Sequence, residues 1–114
     1  MQGFDEYQYQ ASRTAVYPHC GEKSIGGLIY TTLGLTGEAG ELANKLKKIL
    51  RDRGGVVDVE IRYTLAKELG DVLWYVAMLA QELDYDLSDI ARLNIENLQG
   101  RQVRGTLQGE GDNR

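Results

Sequence analysis

Two four-residue words, Glu38-Ala39-Gly40-Glu41 and Glu68-Leu69-Gly70-Asp71, repeat one pattern thirty positions apart. Positions i and i+3 lie about one turn apart on an α-helix, so each word sets two carboxylates side by side on one helical face. The surrounding residues have the matching period. Leu28, Thr32, Leu35, Ala39, Leu42, Leu46 and Ile49 step by four and three, as do Leu65, Leu69, Val72, Val76, Leu79 and Leu83, which is the apolar stripe of a core-facing helix. Each acid directly precedes a stripe residue, so all four carboxylates are expected to border the core. Like charges one turn apart repel, and desolvation raises their pKa values unless a cation compensates. A donor set of carboxylate oxygens with no Cys or His suits the hard cations Mg2+ and Mn2+. Glu38, Glu41, Glu68 and Asp71 are therefore candidate metal ligands and catalytic residues, and the plain alternative is two acidic surface faces.

The chain reads as all-α, a four-helix protomer. The first helix is expected over about Phe4 to Val16, with Asp5 as its cap, ending before Tyr17-Pro18 because proline disfavours helix in the residue before it. Ser24 caps a second helix reaching about Arg53. Its glycines, Gly34 and Gly37 among them, suggest the close approach of a partner backbone, a ligand or a packed helix. Gly54-Gly55 breaks it from a third helix over about Asp58 to Leu83, and Asp86 with Asp89 caps a last helix ending near Gly100. Residues 1–100 thus form one helical domain and 101–114 a flexible tail rich in Gly and Arg. A short connection forces the second and third helices to run antiparallel. Glu41 and Glu68 each lie about thirteen residues from the glycine turn, so the acidic words meet at matching heights.

Glu38-x-x-Glu41, the basic stretch Lys45-Leu46-Lys47-Lys48 and Lys67-Glu68-Leu69-Gly70-Asp71-Val72-Leu73 together resemble the MazG-like all-α nucleoside triphosphate pyrophosphohydrolases. The similarity takes in Asp5-Glu6-Tyr7-Gln8 and the tail from Arg104, and so covers most of the chain. Gly37 stands where many members carry an additional Glu, which leaves the number of metal ions open. The resemblance implies Mg2+-dependent hydrolysis of a nucleoside triphosphate to the monophosphate and pyrophosphate, with nucleotide-pool cleansing as the favoured role and control of a signalling nucleotide as its alternative. It also implies dimers or dimers of dimers, and it brings Asn94 of the last helix among the substrate-binding candidates.

Residue chemistry adds further expectations. Val72 to Ala80 has hardly a polar face, and a helix apolar all round must be buried on more than one side, which points to a homodimer or homotetramer. Trp74 and Tyr75 lie i+3 and i+4 from Asp71, so either ring can line the carboxylate pocket or pack in the core. Lys45, Lys48, Arg101 and Arg104 are candidates for outer-phosphate contacts, beside the plainer reading of solvated basic faces. The tail is expected to close over a bound triphosphate.

Composition excludes more than it assigns. The 114 residues suffice for one domain with a modest core, the 42% hydrophobic content fits a folded globule, and no apolar run approaches the ~20 residues of a membrane span. The start lacks the features of a signal peptide, so a cytoplasmic location is expected. A net charge of −4 gives no general attraction for nucleic acid or an anionic membrane. Gly21-Glu22-Lys23-Ser24 follows no strand and is no phosphate loop. The single His19 rules out the Glu-x-x-His pairs of ferritin-like di-iron sites, and lone Cys20 forms no internal disulfide. The competing class is a non-enzymatic helical dimerisation module with structural acidic faces.

Overall fold

A computed structural model of the chain describes Met1 and residues 3–105. Four helices follow in order, α1 Phe4–Ser12, α2 Ile25–Asp52, α3 Val59–Glu82 and α4 Leu87–Arg104, and the described residues hold no strand. The frame is the long antiparallel hairpin of α2 and α3. The shorter α1 and α4 pack on α3 and on each other, and α4 leaves α2 untouched.

Local chemistry accounts for the boundaries. Gly54 and Gly55 take left-handed φ of 61° and 78° and turn the chain between α2 and α3. Ser24 accepts from Gly27 N at 3.4 Å to cap α2, and Asp58 accepts from Ile61 N at 2.8 Å to cap α3. Two boundaries differ from expectation. Helix α1 stops at Ser12, four residues early, because the Ser12 and Thr14 hydroxyls bond the Tyr9 and Ala11 carbonyls at 2.6 and 2.7 Å and the chain tightens into turns. Helix α4 continues through Gly100 to Arg104 and ends on Gly105 in the left-handed region. Arg101 and Arg104 are therefore helical residues of its last turn, and Arg101 is buried. The remainder of the expected tail, 106–114, lies outside the described residues.

Asp5 does not cap its own helix. Gly3 occupies that position, and the Asp5 carboxylate instead accepts from Ser88 N and Ser88 Oγ at 2.9 and 2.7 Å, capping α4 from across the molecule. Gln8, also on α1, donates to the carbonyls of Ala77 and Tyr85 and accepts from Leu87 N. A helix of nine residues thereby stitches the α3–α4 connection.

The core gathers Ala11, Tyr17, Ala77, Met78, Ala80 and Leu87 around the C-terminal half of α3. Along α2 the expected stripe is only partly covered. Leu28, Leu35, Leu42 and Ile49 are half-buried, while Thr32, Ala39 and Leu46 are exposed, because within one protomer α3 covers one side of α2 only. The buried residues of α2 are instead Gly27 and Thr31.

Candidate metal centre

Two contacts set the register of the hairpin. Gly27 lies against Glu82, and Gly34 lies so close to the Tyr75 ring that a methyl group there would collide with it. Continued along both helices, that register puts Glu41 opposite Glu68 and Glu38 opposite Asp71. The carboxylates of Glu38, Glu41 and Glu68 each offer an oxygen within 4.8 Å of the others. Asp71 lies outside that tight group and remains close enough for its charge to raise both the Glu38 carboxyl and the Lys45 ammonium. Glu38 and Glu68 are half-buried, Glu41 and Asp71 exposed, so two of the four border the interior as the stripe implied and two open outward.

The electrostatics of this group are unbalanced. Burial pushes the Glu38 carboxyl above the usual carboxylate range, and the charges of Glu41, Asp71 and Glu68 push it further. Glu38 Oε2 and Glu68 Oε2 are both buried with no hydrogen-bond partner. A buried carboxylate oxygen without a donor is costly. Three converging carboxylates with two such orphaned oxygens fit a hard divalent cation, which takes oxygen ligands and supplies the missing charge.

The remaining candidates fall at different places. Lys45 is ion-paired through Nζ with Glu68 Oε1, and that bond raises its pKa. Lys48 lines a groove of about 330 Å³ beside it, between α2 and α3 towards the glycine turn, together with Lys45, Ile49, Arg53 and Thr64. Trp74 is turned to the core side, donating through Nε1 to Thr14 Oγ1 at 2.9 Å and meeting Tyr17 edge-on. Tyr75 is the ring beside the carboxylates. Burial raises its pKa first, and the charges of Glu38 and Asp71 add to the shift. Asn94 is exposed on α4, which packs on α1 and α3, and Arg101 is buried in the last turn of the same helix.

One neighbour of the centre and one pairing within it were not foreseen. Burial first, and then the charge of Asp71, raise the pKa of the Tyr7 hydroxyl on α1, an electrostatic influence across more than sixty residues that no local pattern signals. The Lys45–Glu68 pair had a signal, since Lys45 lies i+4 from Glu41 on the same helical face.

Fold and site together define an all-helical protein with a carboxylate centre held between two antiparallel helices. A family model, the MazG nucleotide pyrophosphohydrolase domain, matches residues 29–104, and the chain belongs to that family. The match spans all four acids and ends with α4. The chain is also 58% identical over 111 residues to the Gene 37 protein of Mycobacterium phage L5, covering 96% of this chain and 97% of that protein. No solved structure gives a significant match. Among the described residues no helix is long and apolar enough to cross a membrane.

Proposed function

We propose that the protein is a cytoplasmic nucleoside triphosphate pyrophosphohydrolase that converts a (deoxy)nucleoside triphosphate to the monophosphate and pyrophosphate, cleansing the nucleotide pool. The observation that carries this reading is the convergence of Glu38, Glu41 and Glu68 with two buried, partnerless oxygens, in a chain of the MazG family. Asp71 completes the set from the facing turn of α3. When bound, Mg2+ or Mn2+ neutralises charge that develops on the phosphates and makes an attacking water more acidic.

The side chains divide the remaining work. Glu38, Glu41, Glu68 and Asp71 would hold the cation, and Glu38, whose carboxyl is pushed up by burial and by its acidic neighbours, would double as the base that takes the proton of the attacking water. Lys45 and Lys48, which line the groove towards the glycine turn, would contact the outer phosphates. The exposed leucines of the hairpin support assembly as a homodimer or a dimer of dimers, in line with the apolar stretch of α3.

Pyrophosphate release over a panel of triphosphates, with and without Mg2+, tests the reading. Turnover is expected only with metal, and Glu41→Gln and Asp71→Asn are each expected to abolish it while circular dichroism stays helical. Near-wild-type turnover in either variant removes that residue from the ligand set, and absence of turnover across the panel leaves the helical dimerisation module as the better account.

A further inference from the structure

The acidic centre holds a cation of its own in the side chain of Lys45. Lys45 reaches from α2 to Glu68 on α3 and pairs with its Oε1, and its charge is further stabilised by Glu41 and Asp71. Three of the four acids therefore act on one ammonium. The same side chain also lines the groove of about 330 Å³ that runs towards the glycine turn. Lys48 and Arg53 line that groove with it, and Lys45 is the residue that both lines the groove and touches the carboxylate centre. Of the groove's two acids, Asp58 is engaged in capping α3. A cationic groove opening beside a carboxylate cluster suits a polyphosphate whose inner end lies at the cluster and whose outer end lies along the lysines.

We propose that Lys45 is the internal counter-ion of the carboxylate centre, giving up Glu68 when a divalent cation binds and turning into the Lys48–Arg53 groove to receive the outer phosphates. The inference rests on the metal-dependent reading above and adds an order of events to it. A long, flexible, point-charge donor is suited to such an exchange, where a guanidinium locked bidentately on Glu68 is not. The arrangement also limits the charge that the hairpin must bear before metal arrives. With Lys45 absent, Glu38, Glu41 and Glu68 would face one another uncompensated.

The exchange has consequences of opposite sign that a merely structural salt bridge lacks. A partly exposed ion pair such as Lys45–Glu68 is worth about 1 kcal/mol, which corresponds to about fivefold in affinity. Lys45→Met should therefore bind Mn2+ about fivefold more tightly than the wild type, because nothing competes for Glu68. Its melting temperature should fall without metal and recover with it. The Mn2+-loaded variant should bind inorganic pyrophosphate at least tenfold more weakly. Lys48→Met, which leaves the Glu68 pair intact, should weaken pyrophosphate binding without tightening Mn2+.

Isothermal titration of wild type, Lys45→Met and Lys48→Met with Mn2+, then of the loaded proteins with pyrophosphate, reads all of these, and circular dichroism confirms that each variant is folded. Equal or weaker Mn2+ binding by folded Lys45→Met overturns the counter-ion role. Unchanged pyrophosphate affinity overturns the hand-over to the groove. A wild-type protein that binds no divalent cation overturns the metal reading itself, a failure distinguishable from the other two.

Discussion

Gly34 and Gly37 occupy neighbouring turns of the same helix and have opposite reasons for being there. A methyl group at Gly34 would overlap the Tyr75 ring, whereas at Gly37 it would meet nothing within 4 Å. Gly34→Ala should therefore destabilise the fold by about 1–3 kcal/mol through overpacking, in spite of the better helix propensity of alanine. Gly37→Ala should stabilise it by about 0.5–1 kcal/mol. Urea unfolding of both variants checks the contrast, and equal effects would remove the register argument that rests on Tyr75. Sequence raised close approach at both positions, and only the facing helix separates them. The acidic words show a similar division. Their spacing fixed which four side chains share a face, yet which three converge depended on how far α2 and α3 are rotated about their axes.

At the scale of elements, buried Glu82 ties the α1–α2 connection to the end of α3. Its carboxylate accepts from the Tyr17 hydroxyl, from Gly21 N at 2.7 Å and from Lys23 N at 2.9 Å. Burial alone would raise its pKa. The three donors outweigh burial and hold it below the ordinary 4.5. A carboxyl lowered on folding contributes stability that is fully present above its unfolded pKa and is lost as pH falls through the folded value. Glu82→Gln should cost about 2–4 kcal/mol at neutral pH, because an amide cannot accept from every donor that faces it. Melting curves of the two proteins against pH should converge below about pH 4. A difference that persists undiminished into that range would show that packing and not charge holds the loop. No periodicity announces this residue: Glu82 looks like a surface acid near a helix end, and its partners come from more than fifty residues away. Caps read from neighbouring residues fared better. Ser24 caps α2, and Asp86 with Asp89 forms a capping box on α4, where a local pattern put them, whereas Asp5, with an equally good local claim, was drawn to α4.

At the scale of the molecule, the hairpin leaves apolar surface that one copy of the chain does not cover. Leu46, Leu69 and Leu73 are 45%, 57% and 37% exposed, and they adjoin Leu42, Leu65, Ala66 and Val72 along one side of the hairpin. Each leucine fully buried contributes roughly 1.5–3 kcal/mol, so a second copy laid on this face has a substantial driving force. Sedimentation at micromolar concentration should show a dimer or larger for the wild type, and Leu69→Glu should shift it towards smaller species by placing an unpaired charge in the contact. A monodisperse wild-type monomer would overturn the assembly. The sequence by itself determined the four helices, their antiparallel pairing across Gly54-Gly55 and the matching heights of the two acidic words, because spacing, caps and a short turn act over a few residues. Tertiary structure alone decided that Glu38, Glu41 and Glu68 converge while Asp71 stands beside them, that Lys45 occupies Glu68, that Tyr75 and not Trp74 borders the carboxylates, and that α4 carries Arg101 inward. Each of those outcomes depends on the rotation and separation of packed helices, which is set by contacts between residues far apart in the chain.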